Sequence, residues 1–547
     1  MDMIDSDLGL YLLIAIMAMA VSMAIIPLMM RLAPILGMID KPDARKVHTA
    51  PIPRVGGLGI VIGALVPMLL WLPVNDLTVA IFLGATILLV FGTWDDVAEL
   101  GHYVKFIGQI AAAVIVVYYG DLYVSYFPFY GYETIPESVG RPFSVIAIVG
   151  MINAINHSDG LDGLAGGESL ISLAVIAYLA YLYSSDLMLV ISAAAIGGIF
   201  GFLRFNSHPA RVFMGDGGSQ FLGFILAVLV LILTQQVNTV LSPAVALLLL
   251  GLPVIDILAV FFLRAKHKMN LFRATRNHIH HRLLDMGFLH YESVIFIYAV
   301  QFILVISAIF LMYEHDIVAM LFYLFICLSV FGFLTLSERT GFKVHKEKSG
   351  SWDVLSVVLD KYPRMCDVPI KSLESGLSLF IFASALVAYE VPVDIAVSSL
   401  VLLLLLLFVV VTGLFGYQLY RLIVFVTIGF SIYLFATYPV DWLSNQVDLL
   451  FVYFIIMSVL GFLSVKAFSN EEFKITPLDY LVIAIVLLIA FLPGKNEFRE
   501  SIIWMLVQII ILFYVCELLI QNMKSQYNRF TASIALALAL IAYRGLI

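Results

Sequence analysis

The sequence predicts an all-α polytopic membrane protein, and three observations carry that expectation. Hydrophobic residues make up 62% of the 547 positions and charged residues only 12%, against about 25% charged in a soluble globular chain. Apolar runs recur from end to end, and a run of about 20 residues crosses roughly 30 Å of hydrocarbon as a helix. Lys and Arg gather on alternate loops, as they do on the cytoplasmic side of membrane proteins. With no water in the bilayer to satisfy backbone groups, such runs have to be helices.

Taken in order, the first run, 8–33, is too long for a signal-peptide core and follows Asp2, Asp5 and Asp7 in place of basic residues, so it reads as a retained span. Ten more follow, at 56–74, 77–93, 104–120, 143–157, 163–184, 187–205, 217–234, 239–264, 291–313 and 316–337. A polar stretch, 338–375, interrupts them. Seven further runs lie at 376–391, 394–416, 421–438, 448–468, 478–493, 501–520 and 531–547. The expected organisation is a membrane module of about 11 helices over 1–340, a cytoplasmic linker over 341–375, and a bundle of about 7 helices over 376–547 whose role the sequence leaves open. Residues 121–142 are aromatic-rich and predict either a hairpin or re-entrant piece at the interface or an ordinary interfacial loop. Cys327, Cys366 and Cys516 have no metal-ligand spacing and read as packing residues, without a disulfide framework.

Placing the N-terminus outside puts 21 Lys and Arg of the first part and the polar stretch on the inner side and leaves only Arg141 outside. The C-terminal part has a weaker bias, with Arg421, Lys466, Lys474, Lys524 and Arg529 inside and Lys495, Arg499 and Arg544 outside. The formal charge of −8 says little about partners.

An ionisable group at membrane depth costs several kcal/mol by most estimates and needs a reason to be there. Four polar clusters fall at inner helix ends. In Trp94-Asp95-Asp96-Val97-Ala98-Glu99, two adjacent carboxylates repel, and a divalent or substrate-borne cation removes the conflict; a hydrated loop with incidental acids is the plain alternative. In the segment 153–163, Asn153 and Asn156 lie three apart on one helical face, and Asp159 and Asp162 repeat that spacing with a glycine after each. In 206–219, Asn206 opens a segment in which Asp216 sits between glycines before a new apolar run. Such a turn suits phosphate, with Asp216 holding a bridging metal or acting only as a helix cap. The fourth, Arg276-Asn-His278-Ile-His280-His281-Arg282, suits a pyrophosphate better than a soft metal, since the other clusters supply oxygen ligands; its arginines alone also fit a topological role. A weaker basic patch contains Lys41, Arg45, Lys46, His48 and Arg54, with anion binding and topology as its two readings.

Together these clusters place carboxylates, amides, histidines, arginines and glycine turns on one membrane face. The set fits anionic phosphates with Mg²⁺. No GxxxxGK[ST] occurs, so it is not a P-loop, and the acids sit at helix ends instead of threading the midplane as an ion pathway would. Phosphoryl transfer needs positioning and charge neutralisation more than covalent chemistry from the protein.

The motifs NAINHSDGLDGLAGG, RVFMGDGGSQFLGF, TWDDVAELGHYVKFIGQ and HIHHRLLDMGF resemble the polyprenyl-phosphate N-acetylhexosamine-1-phosphate transferases (glycosyltransferase family 4), over roughly residues 8–340. The HxHH form is closer to the GlcNAc-1-phosphate branch than to the phospho-MurNAc-pentapeptide translocases. The resemblance implies a UDP-N-acetylhexosamine donor, undecaprenyl phosphate as acceptor, UMP as product and Mg²⁺ as cofactor, with Mn²⁺ as the alternative. It implies a multi-pass protein of the bacterial inner membrane with a cytoplasmic active site, starting cell-envelope polysaccharide synthesis. Lipid is the surrounding partner, no nucleic acid is expected, and a homodimer is an allowed assembly. By the same resemblance, Asp95 and Asp96 are catalytic, one as nucleophile or as base toward the lipid phosphate. His278, His280 and His281 join them near the pyrophosphate and sugar. Asp216 is the metal ligand, with Asp159 assigned beside it. Asn153, Asn156, Asp159, Asp162, Asn206 and Arg282 would bind the nucleotide-sugar, and Lys46, His48 and Arg54 would form a basic loop. His157-Ser158 departs from the pattern, where relatives carry an apolar or aromatic residue and then a small one, and residues 341–547 lie outside it. The competing reading is a non-catalytic scaffold or lipid-linked-sugar transporter built on the same module. Such a protein would not need Asp95, Asp96, Asp159, Asp162 and Asp216 all intact.

Overall fold

The computed structural model describes the chain apart from residues 1, 43–49, 99, 129–133, 267, 269–277, 345–363, 413–415, 439–446, 468–506, 509–510, 513, 517 and 521–528. Lys46, His48, Glu99 and Arg276 therefore lie outside the described residues, as do the expected span 478–493 and much of 501–520. The protein is an all-α polytopic membrane protein. Eleven helices among the described residues are long and apolar enough to cross a membrane, eight of them before residue 341. The described residues fall into two compact units, one over residues 2–344 and the other from Arg364 onward.

The first unit begins with α1 (Asp2–Leu36), followed by α2 (Gly56–Trp71), α3 (Asp76–Ala98), α4 (His102–Val114, extended by a π turn to Tyr119), α5 (Glu137–Ser158), α6 (Leu164–Leu182) and α7 (Asp186–Asn206). Then come α8 (Gly215–Ile232, again with a π turn), the short α9 (Val245–Leu249), α10 (Gly251–Lys266), the short α11 (Ile279–Asp285), α12 (His290–Leu311) and α13 (Asp316–Thr340). The apolar run expected as one span over 239–264 is broken. Pro243 and Gly251 interrupt it, and Ser242 is held by Met312 O at 2.9 Å and by Asp316 Oδ1 at 2.5 Å. Hydropathy alone does not register such a break, because both pieces stay apolar. The aromatic loop before α5 pairs Tyr126 with Thr134, and Gln235 Oε1 accepts the amides of Ser125 and Tyr126 at 2.9 Å each.

The window of α8 is wholly buried, and it forms the axis of the unit. Small residues let its neighbours come close, which is how helices associate where lipid removes the hydrophobic drive. A Cβ on Gly57 would run into Gly218, one on Gly92 into Gly217, and one on Gly223 into the backbone of Ile152. A short antiparallel pair, β1 (Ile39–Asp40) and β2 (Ile52–Pro53), leads into α2. Phe213 donates to Pro53 O at 2.8 Å, and Gly56 and Gly57 donate back to Phe213 O and Met214 O at 2.9 and 2.7 Å. The loop that carries Arg54 is thereby stitched to the segment that delivers Asp216.

In the second unit, helices Arg364–Val387, Val393–Thr412, Gly416–Thr437, Val447–Ala467 and Arg529–Leu546 are described. The first starts inside the stretch expected as a linker. They pack around Leu377, Phe380, Ile381, Tyr420, Ile534 and Ile541. Arg544 donates to the carbonyls of Ala385, Leu386 and Ala388 at 2.7, 2.9 and 2.5 Å, closing the C-terminal end of the first of these helices.

Candidate active site

The last turn of α3, the first turn of α4, the end of α5 and the start of α8 meet at one place. Asp95 and Asp96 are adjacent, yet the structure gives them different partners. Asp96 receives the backbone N–H of Asp216 on both carboxylate oxygens, at 3.1 Å each, and so caps the positive end of α8 from a neighbouring helix. Gly215 makes that approach feasible, because its φ is +73° and a Cβ there would meet the Asp96 carboxylate. Asp95 turns instead to Lys105 on α4, whose Nζ lies 2.5 Å from Asp95 Oδ2 and 2.7 Å from Asp216 Oδ2. Lys105 thus bridges two carboxylates from separate helices. Asp95 Oδ1 is buried and has no hydrogen-bond partner among the described residues. That unsatisfied oxygen, the hard donors of Asp216 and Asp159, and the charge already concentrated there fit a magnesium-type cation.

The end of α5 links this cradle to the histidines. Asn156 Nδ2 donates to Asp216 Oδ1 at 3.1 Å and to Ser219 Oγ at 2.8 Å, fixing the Asp216 carboxylate from the side opposite Lys105. Asn153, one turn earlier, reaches Gln109 Oε1 on α4 at 2.7 Å. His157 stacks on His278, with ring centres 5.4 Å apart, and His278 on His280 at 5.8 Å. In the turn after α5, Gly160 lies flat against the His280 ring, where any side chain would collide. Partly buried Asp159 has its carboxyl pushed up to about 7, first by burial and then by Asp216 and Asp162. Burial, then the neighbouring His281, His278 and His290, hold the His280 imidazole well below its ordinary value, so it is neutral at physiological pH.

Asp162 belongs to a side group. Its Oδ2 meets His208 Nδ1 at 2.7 Å and accepts Ala210 N–H at 3.0 Å, while its own N–H donates to His290 Nε2 at 3.1 Å. The nitrogens of the two histidines and the carboxylate lie within 4.8 Å of one another. The rings are nevertheless stacked at 4.1 Å and only 18° apart. A metal sits in the plane of each imidazole that binds it, and two near-parallel planes offer no shared point, so the trio is a hydrogen-bonded brace. Asn206 spends both ends of its amide on backbone, accepting Gly163 N–H at 2.8 Å and donating to Val212 O at 2.8 Å. Arg282 is committed to Glu338 Oε1 at 2.6 Å and Thr335 Oγ1 at 3.3 Å. Arg54 pairs with Asp40.

The sequence pattern of Glycosyl transferase family 4 matches residues 78–234, the stretch that holds Asp95 through Asp216. The chain is 37% identical over 312 residues to a probable undecaprenyl-phosphate N-acetylglucosaminyl 1-phosphate transferase of Bacillus subtilis (strain 168), a match covering 56% of this chain and 87% of the relative. The chain belongs to glycosyl transferase family 4. It is 28% identical over 288 residues to an undecaprenyl-phosphate alpha-N-acetylglucosaminyl 1-phosphate transferase of Escherichia coli O157:H7, covering 51% of this chain and 78% of the relative. It is 31% identical over 290 residues to a decaprenyl-phosphate N-acetylglucosaminephosphotransferase of Mycobacterium leprae (strain TN), covering 47% and 72%. The Bacillus relative is nearly used up by its match while much of this chain is not, as expected of a transferase module with an extension.

Several residues of the transferase escaped the sequence reading. Lys105 stands inside the TWDDVAELGHYVKFIGQ motif, but a lysine at an inner helix end also fits a topological role and gives no separate signal. Asp256 and Glu168 are acids inside apolar runs, which was a usable signal. Glu168 is buried against Ser158 Oγ, and Asp256 against His278. His208 and His290 carried no signal, because only the fold brings them to Asp162.

Proposed function

We propose that the chain transfers N-acetylglucosamine 1-phosphate from its UDP ester to undecaprenyl phosphate, releasing UMP at the cytoplasmic face of the bacterial inner membrane, and so starts a lipid-linked envelope polysaccharide. The observation that carries this reading is the convergence of Asp95, Asp96, Lys105, Asn156 and Asp216 at adjoining helix ends, in a chain aligned with 87% of a relative named for that reaction.

The acceptor phosphate has a second pKa of about 6 and is largely dianionic at neutral pH. One of its oxygens forms a bond to the β-phosphorus of the donor. The bond from that phosphorus to the bridging oxygen breaks, and UMP leaves with the electron pair. The obstacle is repulsion between two anions, which is an electrostatic task. Lys105 brings a fixed positive charge between the carboxylates. Asp95 receives any proton the acceptor still carries, while Asp96 keeps α8 and Asp216 in place. Asn156 sets the rotation of the Asp216 carboxylate. Asp216 and Asp159 would hold Mg²⁺, or Mn²⁺, which would supply charge neutralisation for the diphosphate. His278, His280 and His281 face the sugar and its phosphate, with His280 acting as a neutral hydrogen-bonding group.

The test is UMP release by the purified full chain supplied with Mg²⁺, undecaprenyl phosphate and UDP-N-acetylglucosamine, with UDP-N-acetylgalactosamine and a 6-deoxy N-acetylhexosamine donor run beside it. Release that requires both lipid phosphate and the N-acetylglucosamine donor is expected. No release with any donor, or release without acceptor, contradicts the proposal.

A further inference from the structure

We propose that Asp256 is a positioning residue, setting the tautomer and the orientation of His278. The inference rests on the reading that His278 serves the donor's phosphate and sugar. Asp256 lies within α10 in the apolar run GLPVIDILAV and is buried. A carboxylate in such a place demands compensation, and among the described residues both of its hydrogen bonds go to the start of the histidine segment. Its Oδ2 is 2.7 Å from His278 Nδ1, and its Oδ1 accepts the Ile279 N–H at 2.9 Å.

The second contact explains why α11 starts where it does. Ile279 N–H is one of the donors a helix N-terminus leaves without a partner. His278, the residue before it, is extended (φ −67°, ψ 152°) and offers no side-chain cap. Asp256 caps α11 from a neighbouring helix, and its other oxygen takes the imidazole of the capping residue itself. One carboxylate therefore fixes both the backbone entry and the ring. With Nδ1–H donated to Asp256, Nε2 is the nitrogen left for substrate, in the way a carboxylate fixes a metal-binding or catalytic histidine. The His278 ring also stacks on His157 and on His280, which limits its rotation further. Asp256 also lines a small cavity with Ser158, Glu168 and His280, so its neighbourhood is built from polar groups of the same cluster.

A double-mutant cycle on the full chain tests this. Asp256→Asn keeps the shape but presents an amide that donates to Nδ1 in one rotamer and accepts from it less strongly in the other. We expect kcat for UMP release to fall about 10–100-fold, the usual effect of losing such a partner, with donor KM changing far less. Asp256→Glu, which keeps the carboxylate, recovers part of that loss. In a His278→Ala background the Asp256→Asn change adds less than a further twofold, because residues acting as a unit are non-additive. Losses that multiply show a general structural role and overturn the proposal. So does wild-type activity in His278→Ala. A readout independent of transfer is carbethoxylation of His278 by diethyl pyrocarbonate, followed by peptide mass spectrometry. Asp256→Asn and Asp256→Glu should each change its rate several-fold, and an unchanged rate in both overturns the proposal. Should the wild type release no UMP, the transferase reading fails, and the carbethoxylation rates alone decide the role of Asp256.

Discussion

Lys105 and Asp159 show how single residues set the electrostatics of the cradle. Lys105 reaches Asp95 and Asp216 together, so the site carries its own cation before any metal arrives. Asp159 has no such partner among the described residues, and its carboxyl is pushed from 3.8 to about 7. Between those values the unfolded chain has released a proton that the folded chain keeps. The unfolded state then binds fewer protons, and stability falls as pH rises through that window. In a chelator, the melting midpoint of the wild type should drop between about pH 4 and pH 7, and Asp159→Asn should flatten the drop. Parallel pH profiles for the two proteins would contradict this. The acids were legible in the sequence because a carboxylate in an apolar context is conspicuous. Lys105 was not, because a lysine beside a membrane helix already has a topological explanation. The backbone roles of Asn206 and the Glu338 partner of Arg282 depend on contacts between distant residues that spacing does not encode.

At the scale of elements, the site is a junction of helix ends, and its precision comes from glycines that let the helices touch. Gly92 on α3 faces Gly217 on α8, where a Cβ would also come 2.8 Å from the carbonyl carbon of Asp216. Any side chain there has to push the two helices apart, and Asp95 and Asp96 lie one turn further along the displaced one. Gly92→Leu should therefore cost about 1–3 kcal/mol by overpacking. It should also reduce UMP release by more than a stability loss of that size explains at a temperature where the variant is folded. Thermal midpoint and rate, measured together, check this, and an unchanged rate would show that the α3–α8 contact does not position the carboxylates. Hydropathy located the long helices well, since each must bridge the bilayer. It failed at 239–264, where Pro243 and Gly251 split an apolar run without changing its hydropathy, and it carried no sign that Asp256 on α10 caps α11.

On the scale of the whole molecule, two compact helical units share one chain, and the residues of the cradle and the histidine cluster all belong to the first. The second unit has its own apolar core and an arginine that closes one of its helices. Its sequence held no motif, and its described residues bring together no constellation of acids and histidines like that around Asp216. Catalysis is thus assigned to the part of the chain that carries the family pattern. The most direct test is to compare UMP release by the wild-type chain with Asp95→Asn and Asp216→Ala, each shown to be folded by its melting midpoint. The account predicts a loss of at least about 10²-fold in both, the scale of removing a group that stabilises developing charge. Release near the wild-type rate from both folded variants would contradict it.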